Sequence, residues 1–412
     1  MTRQGELSAP TGPPGQMVAD NVGGIGAAGG VWSDLVGQEP LVELLRQVVV
    51  AAQDRIAGGS GTGMTHAWLF TGPPGSGRSN AARAFAAALQ CENGGCGVCN
   101  ACRTALSGAH PDVTLVATEG LSIGVDQVRE LVRDAALAPG SGRWQAIVVE
   151  DADRLTEDAA DALLKSLEEP ATRTVWMLCA PTPEDVLATI RSRCRHVVLR
   201  TPPTDAVVRL LTESGVPEQL AWTAARAGQG HIGRSRRLAT DEDARSRRRE
   251  IIGLPSSLID LGSCLDAAAG LHTTAEAEGA AVAGRLDEQE RTGLEAVYGV
   301  AERGRRVRGY SGALSTLKKD QERRKKRVVR DSIDGALLDL LSFYRDVLVI
   351  QLAAGTDLVN EDVRADIVSL AHKGTPEQTL ARIDAVLACR EALEANAAPL
   401  LALEALMIQL HV

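Results

Sequence analysis

The chain has 412 residues, of which 44% are hydrophobic and only 3% aromatic, and its net charge is -9 at pH 7. This length supports two or three packed domains, and the dominance of Ala, Leu and Val favours helices and buried parallel strands over an all-β sandwich. The negative charge excludes a protein that coats DNA along its whole surface, so that any contact with nucleic acid must be regional.

The N-terminal region, residues 1–31, is rich in Gly, Ala, Pro and Ser and has no apolar period, which predicts a disordered tail. The sequence shows no signal-peptide pattern and no run of about 20 apolar residues, so we expect a cytoplasmic protein. In that reducing compartment the eight cysteines are expected to be thiols or metal ligands rather than disulfides.

Five short apolar runs alternate with helical patterns between residues 32 and 200. They are AWLF (67–70), DVTLVA (112–117), QAIVVE (145–150), VWMLCA (175–180) and HVVLR (196–200). Strands that alternate with helices predict a parallel, doubly wound sheet. We therefore expect an α/β domain over residues 32–200.

A glycine-rich turn, FTGPPGSGRS (70–79), follows the first strand and matches the phosphate-loop pattern G-x-x-x-x-G-K-[ST] except that Arg78 replaces the lysine. Such a loop surrounds an anion with backbone N–H groups, and glycine lets the backbone approach phosphates closely. Arginine keeps the charge but is bulkier and planar, so efficient hydrolysis is not expected. An ordinary glycine and proline turn is the alternative. The predicted nucleotide-contacting residues here are Gly72, Gly75, Gly77, Arg78 and Ser79.

An acidic pair, Glu150-Asp151, follows the strand AIVV, where related NTPases carry Asp-Glu to hold magnesium and orient water. The reversed order lengthens the magnesium-side carboxylate and shortens the presumed base by one methylene. Because reacting atoms must be placed to within about 0.5 Å, both changes predict weak chemistry. The alternative is a solvated acidic turn that caps the next helix.

Four closely spaced cysteines, Cys91, Cys96, Cys99 and Cys102, form the pattern C-x4-C-x2-C-x2-C. Four thiolates at this spacing can close a tetrahedral zinc site, and because no coordination position is left open, the predicted zinc is structural. A chance cluster of unused thiols is the alternative. The other four cysteines are scattered and are expected to be small core or surface residues.

The turn TPPT (201–204) ends the α/β pattern. The helical segment that follows contains the glycine-rich GQGHIG (228–233) and is predicted to form a small helical lid domain over residues 201–245. Beyond it there is no convincing strand pattern, and apolar residues recur with a helical period over residues 333–348. Residues 246–412 are therefore predicted to form a helical domain.

A basic stretch, residues 303–330, contains twelve Lys/Arg and two Asp/Glu. It could follow a phosphate backbone, which makes a DNA-binding adaptor one hypothesis for the chain. A solvated helix face is the ordinary interpretation of such a run. Tyr310 is its one aromatic residue, so stacking on bases is not indicated.

Taken in order along the chain, several of these segments resemble the bacterial clamp-loader AAA+ subunits. They are DLVGQEP (34–40), HAWLFTGPPGSGRS (66–79), the four-cysteine segment, HPDV (110–113), DALLKSLEEP (161–170) and IRSRC (190–194). The resemblance is specific over residues 32–240 and continues more weakly through LLSFYRDVL (340–348) and NAAPLLALEAL (396–406). Within the family the chain is most similar to the delta-prime type of subunit of DNA polymerase III.

The resemblance implies a hetero-pentamer with tau/gamma and delta subunits, which uses ATP to place a sliding clamp on primed DNA. The ATPase members carry an intact lysine loop, a DE pair and a threonine that senses the γ-phosphate. This chain has Arg78, Glu150-Asp151 and Ala180 at those places. A degenerate ATP site in a non-catalytic subunit is therefore expected, with the polymerase activity carried by partner subunits and with residues 246–412 as an oligomerisation collar. An active ATPase of the tau/gamma type is the alternative.

The motif Ser192-Arg193-Cys194 is intact. In the family its arginine reaches across a subunit boundary to the γ-phosphate held by a neighbour, where a guanidinium stabilises transition-state charge. The resemblance therefore implies that Arg193 is a trans-acting arginine finger and that the chain is a stator. Without the family, Arg193 would be interpreted as a surface arginine beside Arg191 and Arg195.

Overall fold

The computed structural model describes residues 29–118, 122–140, 142–298 and 310–411. The predictions for tail residues 1–28 and for basic residues 303–309 lie outside these ranges. Residues 29–31 of the predicted tail belong to the folded part, because Gly30–Trp32 form a 3-10 turn in which Val31 and Trp32 are buried.

A five-stranded parallel sheet organises the first half of the chain, and its strands confirm the five that the sequence predicts. They are β1 (Ala67–Thr71), β2 (Val113–Val116), β3 (Gln145–Val149), β4 (Thr174–Ala180) and β5 (Arg195–Val198), in the spatial order β2-β3-β4-β1-β5. Every residue of β1, β3 and β4 is buried. Strands covered on both faces need no polar side, which explains their continuous apolar runs.

Helices cover both faces of this sheet. One face carries α1 (Glu39–Ile56), α2 (Arg78–Gln90) and α3 (Asn100–Ser107), and the other carries α4 (Val125–Ala135), α5 (Glu157–Glu168) and the short α6 (Ala188–Arg191). Alternate residues of β1 supply the two cores: Trp68 and Phe70 pack on the first face, Ala67 and Leu69 on the second. The predicted α/β fold class is confirmed.

Three helices follow the sheet: α7 (Thr204–Glu213), α8 (Glu218–Gly228) and α9 (Ile232–Thr240). They share a separate apolar cluster that includes Val207, Leu211 and Ala225. We call this group the lid. The predicted boundary at residues 245/246 falls inside the next helix, α10 (Glu242–Ser257).

The rest of the described chain is helical. It consists of α11 (Leu261–Tyr298), α12 (Tyr310–Gln351), α13 (Arg364–Lys373), α14 (Pro376–Glu394) and α15 (Pro399–Leu410). The helical period recognised in the sequence buries Ile333, Leu337 and Tyr344 of α12 in the core that these helices share with α10. We call α10–α15 the collar helices. None of the helices in the described ranges is long and apolar enough to span a membrane.

Candidate functional site

The glycine loop lies between β1 and α2, at the carboxyl edge of the sheet, which is where open α/β sheets bind ligands. Gly75 and Gly77 have φ values of +83° and +91°, a conformation that glycine adopts without strain. Because β3, β4 and β1 are neighbours and parallel, the loop, the acidic pair after β3 and Ala180 at the end of β4 meet at one edge. The fold thus assembles the three elements that the sequence analysis associated with a nucleotide site.

The Arg78 side chain is folded back on its own loop. Its Nη1 donates to the Gly72 carbonyl over 3.1 Å, and its buried Nε has no hydrogen-bond partner among the described residues. A guanidinium in this position bonds to the loop that would surround a phosphate. The planar guanidinium of Arg78 is therefore engaged by the backbone of its own loop.

His231, at the start of α9 in the lid, packs directly on the glycine loop. A Cβ added to Gly75 would lie 2.2 Å from the Cγ of His231, so only glycine fits beneath this ring. The Nδ1 atom of His231 accepts a hydrogen bond from the Arg234 amide over 3.2 Å and caps α9. Burial lowers the pKa of His231, which favours the neutral ring that this hydrogen bond requires.

Both carboxylates of the acidic pair are bound by arginines of the same chain. Arg83 Nε on α2 lies 2.5 Å from Glu150 Oε1, and Arg327 Nη2 on α12 lies 3.3 Å from Asp151 Oδ2, which also accepts from the Thr118 amide over 3.2 Å. The Glu150 and Asp151 side chains are each 14% exposed. The capping alternative is not supported, because the Asp151 side chain does not cap the following turn and Thr156 caps α5.

The four clustered cysteines meet at one point beside α2 and α3. Their sulfur atoms all lie within 4.8 Å of one another, with Cys91 Sγ 3.7 Å from Cys96 Sγ and 3.8 Å from Cys99 Sγ. Ligands of a tetrahedral Zn–S₄ centre, with Zn–S bonds of about 2.3 Å, lie about 3.8 Å apart. Hydrogen bonds from the Val98 and Cys99 amides lower the pKa of Cys96 to about 6, whereas burial raises the pKa values of Cys99 and Cys102, so the sulfur spacing rather than the pKa values decides the fit. The donor set therefore fits a structural zinc ion.

Arg193 lies at the opposite edge of the sheet from the glycine loop, because it precedes β5 whereas the loop follows β1. The five residues of β1 separate the two edges by about 16 Å, which is beyond the reach of one side chain. The guanidinium is partly exposed and contacts Glu168, with Nε 2.7 Å from Oε1. The two arginines that flank the motif make other contacts: Arg191 donates to Pro183 O over 3.1 Å, and Arg195 lies over the Trp68 ring, 4.9 Å from its centroid.

The described part of the basic stretch lies on α12. Its arginines bind partners within the chain: for example, Arg324 contacts Asp287 and Glu290, Arg327 contacts Asp151, and Arg330 contacts Asn396. The lysines at positions 318, 319, 325 and 326 are exposed. Part of this charge therefore connects α12 to the rest of the molecule, and part forms a solvated helix face.

Two family models match this arrangement. The model described as "DNA polymerase III, delta subunit" matches residues 58–203, and the model described as "DNA polymerase III, delta subunit, C terminal" matches residues 331–411. Together they cover more than half of the chain. The chain belongs to the DNA polymerase III delta-subunit family. The first match includes the glycine loop, the cysteines and Arg193, and the second lies in the collar helices.

Relatives of two kinds are similar to this family member. DNA polymerase III subunit delta' from Pseudomonas aeruginosa is 37% identical over 38% of this chain and 49% of the relative, and that from Escherichia coli is 38% identical over 39% and 50%. DNA polymerase III subunit gamma/tau from Mycobacterium tuberculosis is 36% identical over 44% of this chain and 30% of the relative. The chain thus spans about half the length of these delta' relatives and about a third of the gamma/tau relative.

Among solved structures, a gamma subunit-related protein from Thermotoga maritima is 16% identical and covers 84% of this chain and 93% of its own, with a TM-score of 0.38. At that score the likeness supports no conclusion about the site.

Four residues around these sites have roles that the sequence patterns did not indicate for this delta-family chain: Glu168, Arg83, His231 and Arg327. Glu168 lies inside the segment DALLKSLEEP, and Arg327 lies in the basic stretch, but neither pattern names a partner. His231 lies in the glycine-rich segment that predicted the lid. Only the fold brings each of them to the site it completes.

Proposed function

We propose that the chain is a delta-prime-type stator of a DNA polymerase III clamp loader, which helps to load the sliding clamp onto primed DNA. In this role Arg193 acts as an arginine finger on ATP held by a neighbouring subunit. The observation that carries the proposal is the position of Arg193, which is exposed, held by Glu168, and on the edge of the sheet away from its own glycine loop. The names of the delta' relatives support the same assignment.

The chain's own nucleotide site is proposed to be degenerate. Magnesium is held by free carboxylate oxygens and phosphates, whereas Glu150 and Asp151 are already bound by Arg83 and Arg327. Ala180 offers no hydroxyl group at the place of the sensor threonine. Under this proposal the chain acts as a fixed part of the assembly and supplies the positive charge of Arg193. ATP hydrolysis and DNA polymerisation are carried out by its partners.

The proposed partners are tau/gamma and delta subunits in a hetero-pentamer, with the sliding clamp and primed DNA. Two collar helices expose apolar side chains at a spacing of seven residues, Leu380 and Leu387 on α14, Leu401 and Ile408 on α15. Exposed apolar faces of this kind are typical of surfaces that pack against another subunit. They support a role of the collar helices in assembly, and the proposed location is the cytoplasm, at the replisome.

We propose that Cys91, Cys96, Cys99 and Cys102 hold one structural zinc ion. The sulfur spacing carries this proposal. Metal analysis of the purified chain should find about one zinc per chain, and Cys102→Ser should lower that value and the midpoint of thermal unfolding together. A chain that folds normally with no bound metal would contradict it, and Cys264→Ser is the control, because this buried cysteine lies in the collar core.

The stator proposal is tested by DNA-stimulated ATP hydrolysis of the reconstituted loader. Arg193→Ala in this chain should reduce the rate about tenfold or more, since arginine fingers contribute large factors to phosphoryl transfer. Arg78→Ala should change it little, and Arg191→Ala, a neighbouring partly exposed arginine, is the matched control. The opposite pattern, with loss from Arg78→Ala alone, would support the tau/gamma-type ATPase instead.

A further inference from the structure

We infer that Glu168 is a positioning residue that orients the guanidinium of Arg193 toward the neighbouring subunit. The inference rests on the proposed function of Arg193 and adds to it the group that holds the finger in place. It concerns the last residue of α5 and its contact with the Ser-Arg-Cys motif.

The guanidinium is held on two sides. Nε and Nη2 of Arg193 both contact Oε1 of Glu168, the first over 2.7 Å, while Nη1 donates to the Thr189 carbonyl over 2.8 Å and to Ser192 Oγ over 3.2 Å. Ser192 Oγ donates its own hydrogen to the Thr189 carbonyl, so its lone pair is available to accept. These contacts use four of the five N–H groups of an arginine and leave one on Nη2 for a group outside.

The carboxylate that makes this contact is itself anchored. The residue before Glu168 is Leu167, which is 1% exposed and whose carbonyl accepts from His66 Nε2 over 2.7 Å. One residue further back, Ser166 Oγ accepts from Trp176 Nε1 over 3.1 Å. The end of α5 is therefore tied to the start of β1 and to β4.

The arginine is anchored to the same core. Ile190, three residues before Arg193, is 1% exposed and belongs to the apolar cluster that also contains Leu163 and Leu167 of α5. A finger and a carboxylate that share one packed core keep a fixed relative position. Placing the charge before the neighbour arrives lowers the entropy that must be lost in the transition state.

The contact between Arg193 and Glu168 is suited to orienting the guanidinium rather than to stabilising the fold. The side chains of Arg193 and Glu168 are 36% and 49% exposed, so that solvent screens their attraction and the pair adds little to folding stability. The C-terminal end of α5 adds the negative end of a helix dipole beside the cation. If Glu168 instead held Arg193 away from the nucleotide, removal of its carboxylate would raise the rate of ATP hydrolysis.

The test uses the reconstituted loader with the full-length chain and measures DNA-stimulated ATP hydrolysis. Glu168→Gln should lower kcat about three- to tenfold with little change in KM for ATP, because a freely rotating arginine reaches the productive geometry less often. Glu169→Gln removes the same charge from the adjacent exposed residue and should leave kcat within about twofold. The double variant Glu168→Gln/Arg193→Ala should be no slower than Arg193→Ala alone.

Guanidinium ion provides a second readout. Added to the loader carrying Arg193→Ala, it should restore part of the activity, and this rescue should be lost when Glu168→Gln is also present. An unchanged or higher rate with Glu168→Gln, or a further loss in the double variant, would overturn the inference. If Arg193→Ala itself had no effect, the proposed function would fail, whereas a loss with Arg193→Ala beside a normal Glu168→Gln would overturn only the role of Glu168.

Discussion

The glycine loop and the Arg193 surface use the same chemical group in opposite ways. At the loop, Arg83 and Arg327 bind carboxylates of their own chain, and those carboxylates are only 14% exposed. At the other edge of the sheet, Arg193 is held by a carboxylate that is half exposed and keeps its guanidinium at the surface. The carboxylates of the first site are engaged by internal ion pairs, whereas the second site keeps its cation at the surface, as the proposed function requires. Restoring one residue of the loop, such as lysine at position 78, would leave the other pairs in place.

Two further arginines also bind a carboxylate inside their own chain. Arg234 of the lid and Arg248 of α10 both bind Asp339 of α12, a side chain that is 8% exposed. We call Arg83, Arg234, Arg248 and Arg327 the inward arginines. They connect the sheet, the lid and the collar helices, so that they should control folding stability, while Arg193 should control only hydrolysis in the assembled loader.

The largest expected effect on stability comes from Asp339→Ala. The substitution removes the carboxylate that pairs with both Arg248 and Arg234. The Arg248 side chain is only 6% exposed, so its charge is left buried without a charged partner. Breaking a buried ion pair from one side costs about 3 to 5 kcal/mol, and we expect a loss of that size in the free energy of unfolding, measured by urea denaturation.

Asp384→Ala is the control for Asp339→Ala, because Asp384 is exposed on α14. Asp384→Ala should change the free energy of unfolding by no more than about 0.5 kcal/mol. Equal effects of the two substitutions would show that the inward arginines do not hold the collar helices in place.

A smaller effect is expected at the joint between the sheet and α12. Asp151→Ala should lower the free energy of unfolding by about 1 to 2 kcal/mol, because the Arg327 guanidinium loses a partly buried partner. A double-mutant cycle with Arg327→Gln should give a coupling energy of about 1 kcal/mol. Additive single effects would mean that the contact contributes nothing to the joint.

His231 should make stability depend on pH. Because burial lowers its pKa, the unfolded chain binds a proton more readily than the folded one, so this contribution is present above the ordinary histidine pKa of about 6.5 and is lost as the pH falls below it. We expect a decrease of about 1 kcal/mol between pH 7.5 and pH 5.5, the size of a typical helix cap.

His231→Asn is the matched control for this pH effect. Asparagine can still cap α9 but does not titrate, so the pH dependence should become weaker while stability at pH 7.5 changes little. A pH profile that is the same in both proteins would assign the dependence to other groups.

The smallest effect on stability should come from Arg193→Ala. Its ion pair is exposed and screened, so the free energy of unfolding of the isolated chain should change by less than about 0.5 kcal/mol. The same substitution should cause the large loss of hydrolysis in the loader. A large loss of stability would place Arg193 with the inward arginines and would remove the contrast between the two surfaces.

The elements that depend on local pattern were predictable from the sequence. The apolar runs that form β1, β3 and β4 are continuous because both faces of the sheet are covered, and the cysteines lie within twelve residues of one another. The ion pairs that Glu150 and Asp151 make were not predictable in this way. Asp151 and Arg327 are separated by 176 residues, and nothing in a run of basic residues shows which one turns inward. The turn that residues 29–32 form was missed because a glycine-rich segment has no apolar period, although the Val31 amide donates a hydrogen bond to the Gly95 carbonyl in the cysteine segment.

The positions of two ion-paired residues on α12, Arg327 and Asp339, have a mechanical consequence. Arg327 attaches this helix to the sheet, and Asp339 attaches it to the lid and to α10, twelve residues further along. At 1.5 Å per residue the attachment points are about 18 Å apart. A helix attached at one point can rotate about it, whereas a helix attached at two points can rotate only if it bends or if one of the contacts breaks. These two attachments therefore oppose rotation of α12 relative to the sheet, the lid and α10.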